Sequence, residues 1–324
     1  MILPNKRFVQ NSLVVDIYLI GYKNEGESVV FLIKADSKII FSAVIDCCKY
    51  QNINKTIDIL EENNIKKLDY LCWSHPDMDH SKDIEKIFLR YCDKKDTIIN
   101  IPKDYEMLVH SSKTHTANLF DFINDNLFKK NYQVYNVCDV QDVLCYSDML
   151  SQLEIIYGEK MYTLGIKSFA PNSNLVRKEI MHDRFINNNH SIALNISLGD
   201  YCFLFAGDIE NNTISFFTKK MIPSKCNYLK IPHHGSLGAD KLLNYVTQID
   251  TSCVTKFKKG STNLPVYSVL DRYEKISQET FITFDNTEKK NNNYGVICTE
   301  FDILNNDRHT LLIGDAMRYT RSGK

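Results

Sequence analysis

Hydrophobic runs separated by turn residues divide the chain into short strands and helices. The first quarter predicts three strands, because each run is apolar, rich in β-branched residues and bounded by turn residues: 13–20, 28–33 and 39–45. A helix is predicted over 55–63, where Ile57 and Leu60 fall on one helical face. A short buried strand over 68–74 and a helix over 82–91 follow it.

The rest of the chain continues this alternation, except for the stretch 92–165, where the pattern is weak and a helix is expected over 117–128. Further strands are predicted at 192–196, 201–206, 228–231, 294–303 and 310–313. Strands that alternate with helices over this length are typical of a layered α/β architecture. We expect one domain over 1–324, with 92–165 as an insertion or decoration.

Four side chains that can bind a metal lie within six residues directly after the predicted strand 68–74. They are His75, Asp77, Asp79 and His80. Pro76 disfavours helix at His75 and cannot donate to a sheet, so the motif is expected on a loop at a strand end. Charged and polar groups packed this closely repel one another without a cation. A polar surface loop is the alternative, but this density of ligands favours a site for zinc, manganese or iron.

Two further candidate ligand groups also follow apolar strands. Asp208 comes after the run 201–206, and His233 and His234 come after the run 228–231. A lone aspartate at a strand end is common in turns, whereas two adjacent histidines followed by Gly235 are rarer. The glycine would allow close approach of the backbone. Together with the 75–80 motif, these groups supply enough ligands for a binuclear metal site.

Composition and charge narrow the setting but identify no partner. Hydrophobic residues make up 44% of the 324 residues, and the net charge of -1 gives no global attraction to nucleic acid. Seven lysines near the candidate ligands could form a local basic groove, and an ordinary solvated surface is the alternative. They are Lys219, Lys220, Lys225, Lys230, Lys256, Lys258 and Lys259. The ten cysteines form no Cys-x-x-Cys pair, and no run suggests a membrane span or signal peptide, so we expect a cytoplasmic protein with reduced thiols.

The order of these motifs resembles the metallo-β-lactamase superfamily. Within it, the chain is most similar to the hydrolase domain of ComEC-type DNA-uptake proteins and to phosphorylcholine esterases. The resemblance extends to the turn at Gly26, Glu27 and Ser28, to Asp46 at a strand end, and to the stretch 189–194. It covers most of the chain apart from 92–165. It implies the metallo-β-lactamase fold, which is a four-layer αββα sandwich.

The resemblance also implies a role for each candidate residue. His75 and Asp77 would bind one metal ion, while Asp79, His80 and His234 would bind a second, with Asp208 bridging both. His190 is a further candidate ligand for the first ion, although an exposed loop histidine is the alternative. His233 would bind or protonate a phosphate oxygen, Asp79 would orient the attacking hydroxide, and Asp46 would orient a ligand. Asp77 stands where the superfamily usually has histidine, which favours harder ions and makes manganese plausible beside zinc.

The activity implied is hydrolysis. Two divalent zinc or manganese ions held roughly 3.5–4 Å apart can generate a bridging hydroxide that attacks a substrate. We expect a phosphodiesterase or nuclease that acts on nucleic acid, a small nucleotide or a choline ester, with no membrane partner. A hydrolase of a non-phosphate ester, thioester or amide, and a non-catalytic subunit of a larger assembly, are the alternatives.

Three positions bear on how far the resemblance extends. Ser81 begins the stretch where the family usually has a glycine pair, and Asn263 stands near where the branch often carries histidine. Asp315 follows an apolar strand in the same way as Asp208, but we interpret it as a turn residue, because in the family the bridging aspartate precedes the histidine pair.

Overall fold

A computed structural model describes residues 5–23, 25–102, 119, 121–284 and 292–321. Its described part contains two large sheets. Sheet I has eight strands, in spatial order β19 (Asp307–Gly314), β18 (Tyr294–Asp302), β2 (Leu13–Tyr22), β3 (Glu25–Ala35), β4 (Lys38–Ile45), β5 (Tyr70–Cys72), β6 (Ile98–Pro102) and β7 (Val134–Val137). It is antiparallel from β19 to β4 and parallel from β4 to β7.

Sheet II has ten strands among the described residues. Nine of them follow the order β1 (Asn5–Phe8), β9 (Leu153–Tyr157), β10 (Lys160–Ala170), β11 (Ala193–Leu198), β12 (Tyr201–Phe205), β13 (Lys225–Lys230), β14 (Gln248–Val254), β17 (Ser277–Ile282) and β20 (Met317–Arg318), and β8 (Gln141–Asp142) pairs with β10. The strands β12, β13, β14 and β17 are parallel. A separate hairpin consists of β15 (Phe257–Lys259) and β16 (Thr262–Leu264).

Helices connect these strands. Among the described residues, the α-helices are α1 (Lys55–Glu62), α2 (Met78–Ser81), α3 (Ile84–Tyr91), α4 (Ser173–His182), α5 (Asn211–Ile214) and α6 (Tyr267–Ile276). The 3-10 segments are Val143–Tyr146, Asn187–His190, Pro232–Gly235 and Leu237–Asn244, and one π-helical segment spans Ile123–Phe128. None of the described helices is both long and apolar enough to cross a membrane.

Three hydrophobic cores separate four layers. The central core joins the two sheets, where the Phe31 ring of sheet I lies 5.6 Å from the ring of Phe203 and 6.0 Å from that of Phe205, both in sheet II. A second core packs α1 and α3 on the outer face of sheet I, and a third packs α6 and the segment Leu237–Asn244 on the outer face of sheet II. The predicted four-layer αββα sandwich is therefore confirmed.

The predicted strands agree with the observed ones to within a few residues, and the largest difference lies in the stretch 92–165. That stretch supplies strands to both sheets, namely β6 and β7 to sheet I, and β8, β9 and part of β10 to sheet II. Its predicted helix over 117–128 falls partly outside the described residues, and its last six residues are π-helical. The expectation of a single domain stays a prediction.

The parallel parts of both sheets direct candidate ligands to one edge of the sandwich. Asp46 follows β4 and the 75–80 motif follows β5, whereas Asp208 follows β12 and the histidine pair follows β13. The two sheets are joined at this edge, because the Ile192 N–H donates a hydrogen bond of 3.0 Å to the Ser74 carbonyl oxygen. Residues far apart in the chain are thereby brought to the carboxyl ends of neighbouring strands, where open α/β sheets bind their ligands.

The contact between the sheets can be tested at Phe31, which is fully buried among aromatic rings from both sheets. We expect Phe31→Ala to lower the free energy of unfolding by about 3–5 kcal/mol, because it removes buried area and leaves a cavity. Urea denaturation measures this loss. Leu89→Ala is the control, since Leu89 is 61% exposed and its truncation should change the free energy by no more than about 0.5 kcal/mol. Equal losses in the two variants would contradict the proposed core.

Candidate metal centre

The 75–80 motif leaves the end of β5 and folds back into the short helix α2. It was predicted as a loop, yet Asp79 and His80 lie on this helix. The turn is tied by Ser81, whose hydroxyl donates 2.7 Å to the Asp77 carbonyl oxygen and accepts 3.0 Å from the Trp73 indole N–H. A glycine at this position would have no side chain to make either bond and would leave the backbone more flexible. Ser81 therefore stabilises the turn.

Hydrogen bonds from Asp46 determine which nitrogen of two imidazoles is available. Asp46 Oδ2 accepts from the Ser74 hydroxyl at 2.6 Å and lies 2.7 Å from His80 Nδ1. Because the Ser74 proton is directed to Asp46, its oxygen accepts from His75 Nδ1, 2.9 Å away. These contacts favour the tautomer in which each neutral imidazole carries its proton on Nδ1, and a metal ion would then be bound through the Nε2 lone pair. The Nε2 atoms of His75 and His80 are buried and have no hydrogen-bond partner among the described residues.

Thr255 and Glu27 make the equivalent arrangement for His234. The Thr255 hydroxyl donates 2.5 Å to Glu27 Oε2 and accepts from His234 Nδ1 at 2.7 Å, so that His234 Nε2 faces the cluster, 3.2 Å from Asp79 Oδ2. The His234 ring also stacks on Phe257, with ring centroids 4.9 Å apart. Neither Glu27 nor Thr255 is recognisable from the sequence as a partner of the candidate ligands, although Glu27 belongs to the turn that the resemblance includes. Each follows or lies within a strand next to the cluster, and only the spatial order of the strands reveals the contact.

Two carboxylates and two of these imidazoles converge on one point. Asp208 Oδ2 lies 3.5 Å from His80 Nε2 and 3.5 Å from His234 Nε2. Asp79 Oδ2 lies 3.5 Å and 3.2 Å from the same two nitrogens. Ligand atoms in tetrahedral coordination at zinc–ligand distances of about 2.0–2.2 Å are separated by roughly 3.3–3.6 Å. The observed spacing therefore fits a shared divalent cation.

Glu27 belongs to the same buried cluster but faces its other side. Glu27, His80, Asp208 and His234 each offer a ligand atom within 4.8 Å of the others. Glu27, however, approaches the Nδ1 atoms, at 3.7 Å from His80 and 3.4 Å from His234. Since Asp79 and Asp208 lie on the Nε2 side, we interpret Glu27 as orienting the imidazoles and Asp79 as the more suitable fourth ligand.

His75 and Asp77 form a second pair beside this cluster. His75 Nε2 lies 3.6 Å from Asp77 Oδ2, and the His75 and His80 rings are 4.2 Å apart between centroids. The other Asp77 oxygen accepts a 2.6 Å hydrogen bond from the Asn187 side-chain amide. This pair could bind a second cation close to the first.

His190 is fully buried, so its interpretation as an exposed loop histidine is wrong. Its Nε2 lies 3.0 Å from Glu179 Oε2, and its Nδ1 is buried with no hydrogen-bond partner in the described part of the chain. Two of the asparagines before it also make hydrogen bonds: the side-chain amide of Asn187 donates to Asp77, and that of Asn189 donates to Glu179. A run of asparagines in the sequence thus forms a wall of the site. Ligation by His190 stays a prediction.

The electrostatics favour a cation at His80. Burial lowers the pKa of His80, but Asp208, Asp46, Asp79 and Glu27 together hold it well above the ordinary histidine value. Burial likewise raises the pKa of Asp208, yet the neighbouring His234, His80 and Lys230 hold it well below the ordinary value. A buried group of carboxylates therefore requires positive charge, and a divalent ion fits the same donors.

Part of that positive charge comes from Lys230. This residue was predicted to belong to a basic surface groove, and its burial shows that this prediction is wrong for it. Lys230 and Lys256 are each only 1% exposed, so neither belongs to a solvated surface. The Lys230 ammonium contacts Glu27 Oε1, donates 2.9 Å to the Gly207 carbonyl oxygen and lies 3.3 Å from Asp208 Oδ1. It is an internal counter-ion of the cluster. The other five lysines of the predicted groove are exposed.

The histidine pair lies on a strained turn. His233, His234 and Gly235 have φ values of 44°, 50° and 76°, and non-glycine residues rarely adopt this left-handed region. A Cβ at Gly235 would lie 2.7 Å from the Pro265 Cβ, so glycine is required there. The turn brings His233 Nε2 to 3.9 Å from Asp208 Oδ2 and His233 Nδ1 to 3.0 Å from Glu210 Oε1, with the side chain 22% exposed.

Asp315 has the role expected of a turn residue. Its carboxylate accepts from the Asn292 backbone N–H at 3.2 Å and from the Asn292 side-chain amide at 3.0 Å. It follows β19, which lies at an edge of sheet I and is antiparallel to its neighbour.

Comparison with known proteins adds little to this geometry. No protein-family model matches the chain, and no curated protein matches it. Among solved structures, a diphosphatase described as a new member of the PhnP family is similar over 78% of this chain and 71% of its own, with 11% sequence identity and a TM-score of 0.35. A similarity this weak is not evidence for a shared function, so the function is inferred from the residues of this chain.

Metal binding can be tested at His80, whose Nε2 faces both Asp79 and Asp208. We expect the wild-type protein, incubated with zinc or manganese and then desalted, to retain metal, and His80→Ala to lower its affinity at least tenfold. Inductively coupled plasma mass spectrometry and calorimetric titration measure retention and affinity. His309→Ala, at an exposed position on β19, is the control and should match the wild type. Identical affinity in both variants would remove His80 from the metal site.

Proposed function

We propose that this chain is a metal-dependent phosphodiesterase of the branch that contains the ComEC-type and phosphorylcholine-esterase hydrolases, which its motifs resemble. The observation that carries the proposal is the convergence of Asp79 and Asp208 on the Nε2 atoms of His80 and His234. Two divalent ions, zinc or manganese, would be bound by the following residues: His75, Asp77 and His190 for one, Asp79, His80 and His234 for the other, and Asp208 for both.

The cations would supply a Lewis acid for a phosphoryl oxygen and would lower the pKa of a water molecule. The residues of the chain have separate tasks. Asp46, Thr255 and Glu179 orient the imidazoles from behind. The Asp79 side chain is 16% exposed, against 4% for Asp208, so Asp79 is the carboxylate that substrate and water can reach. We assign to Asp79 the orientation of the attacking water and the acceptance of its proton.

The carboxylate content of the site supports a phosphate ester over a carboxylic ester or an amide. Asp77, Asp79 and Asp208 give an oxygen-rich ligand set, which favours harder ions such as manganese. Hard cations bind phosphate oxygens well. A role as a non-catalytic subunit is less well supported, because the complete set of candidate ligands is present and oriented.

Catalysis can be tested at Asp79. We expect Asp79→Ala to lower kcat for bis-p-nitrophenyl phosphate by about 10²- to 10⁴-fold at saturating metal, because the water loses the group that orients it and takes its proton. Asp307→Ala, at an exposed aspartate on β19, is the control and should retain wild-type kcat.

Three outcomes would contradict this assignment. Equal activity of the two variants would remove Asp79 from catalysis. Hydrolysis of chromogenic carboxyl esters or thioesters, without hydrolysis of phosphodiesters, would identify the other class of hydrolase. Metal-loaded protein without any hydrolytic activity would indicate a non-catalytic role.

We further propose that His233 protonates an oxygen of the substrate. Burial lowers the pKa of His233, but Asp208 and Glu210 raise it above the ordinary value, and the ring is partly exposed beside the cluster. General acid catalysis matters most when the leaving group is a poor one. His233→Gln should therefore lower kcat for the dinucleotide TpT, which has an alkoxide leaving group, by about 10²-fold or more, and should lower it less than about tenfold for bis-p-nitrophenyl phosphate. Assays of both substrates measure the difference. Equal losses would assign His233 to phosphate binding.

A further inference from the structure

An open cleft of about 420 Å³ adjoins the metal cluster at Asp79, within the range of small-molecule binding sites. Besides Asp79, its lining includes Lys23, Tyr50, Phe257, Lys258 and Lys259. Asp79 is also the carboxylate that we assign to the attacking water. A substrate whose phosphodiester reached the metal cluster would therefore place its remaining atoms in this cleft.

The lysines of the cleft lie on a hairpin that is anchored to the cluster. Strand β15 begins with Phe257, whose ring stacks on His234 at 4.9 Å with an interplanar angle of 21°. Lys258 and Lys259 follow it directly and pair across the hairpin with Asn263 and Thr262. Their backbone is thus held at a fixed distance from a candidate metal ligand.

The cleft is electropositive, although the chain has a net charge of -1. Lys23, Lys258 and Lys259 are all exposed, and none of them forms an ion pair with another residue that the structure describes. The carboxylate of Asp79 faces two imidazoles and is engaged in the cluster. The ammonium groups therefore remain available to a ligand, and they would act at short range, where electrostatic interactions are least screened by salt.

We propose that this cleft is a subsite for a second anionic group of the substrate, next to a planar ring that contacts Phe257 or Tyr50. The inference rests on the proposed phosphodiesterase activity and narrows its substrate to phosphodiesters that carry another phosphate, such as nucleotides with a terminal phosphate. It disfavours choline esters, because a quaternary ammonium would meet three ammonium groups of like charge. Lys258 and Lys259 are thus specificity-determining residues that take no part in the reaction.

The test compares two dinucleotides that differ by one phosphate, pTpT and TpT, on the metal-loaded protein. We expect the wild type to have a KM for pTpT lower than that for TpT by on the order of tenfold, as charge-assisted hydrogen bonds to one phosphate would give. The double variant Lys258→Ala/Lys259→Ala should abolish this difference and leave kcat/KM for bis-p-nitrophenyl phosphate within about twofold. Lys94→Ala/Lys95→Ala removes the same charge at two exposed positions outside the cleft and should keep the difference.

A binding measurement separates failure of the subsite from failure of the proposed function. Fluorescence anisotropy with 3′-labelled pTpT and TpT, in the presence of chelator, should show tighter binding of pTpT to the wild type and to Lys94→Ala/Lys95→Ala but not to Lys258→Ala/Lys259→Ala. Binding of this kind without turnover would retain the subsite and reject the phosphodiesterase. Equal binding of the two dinucleotides by the wild type, equal effects of the two double variants, or a preference for p-nitrophenyl phosphorylcholine would overturn the subsite.

Discussion

The structure depends on how three buried carboxylates and one partly exposed carboxylate are neutralised around one imidazole. Glu27, Asp46, Asp79 and Asp208 all approach His80, which is itself fully buried. An uncompensated buried carboxylate costs several kcal/mol, so the three buried ones together would oppose folding. The protein meets part of this cost with the ammonium of Lys230 and with hydrogen bonds from Ser74 and Thr255. The remaining negative charge lies on the side where the Nε2 atoms converge, which makes that side the place for a cation.

The αββα sandwich makes this concentration of charge possible because both sheets contribute charged groups to the surroundings of each imidazole. For His80, Asp46 from sheet I lies at Nδ1, while Asp208 from sheet II lies near Nε2. For His234, at the end of a strand of sheet II, Glu27 from sheet I approaches the Nδ1 side. Sheet I thus helps to orient candidate ligands on both sheets, through Asp46 for His80 and through Glu27 for His234. Loss of packing between the sheets would therefore be expected to disorder the metal cluster before it unfolded the helices on the outer faces.

The strands of the fold and the candidate metal ligands could be predicted because both are marked by local sequence patterns. Strands were recognisable from apolar runs, and His75, Asp79, Asp208 and His234 stood out because each followed such a run. The supporting groups could not be found in this way. Glu27 lies inside a long strand, and Lys230 ends a strand in a position where an exposed lysine is normal, so only the pairing of strands reveals that both side chains are buried. Asn187 belongs to a run of three asparagines, a pattern that indicates no particular contact, yet its side-chain amide donates a hydrogen bond to Asp77.

The difference between residues marked by a local pattern and residues brought together only by the fold also explains why the substrate is harder to infer than the reaction class. The candidate ligands lie at the ends of buried strands, where the neighbouring backbone fixes their positions. Metal binding requires particular residue types at these positions, so their spacing can be recognised in the sequence. The cleft that would select a substrate is built instead from Lys23 in a turn, Tyr50 in a connection and the hairpin at Phe257, none of which forms a motif. The stacking of Phe257 on His234 places the hairpin beside the cluster. That contact links substrate recognition to the metal cluster, because any change that moves the His234 ring would move the wall of the cleft as well.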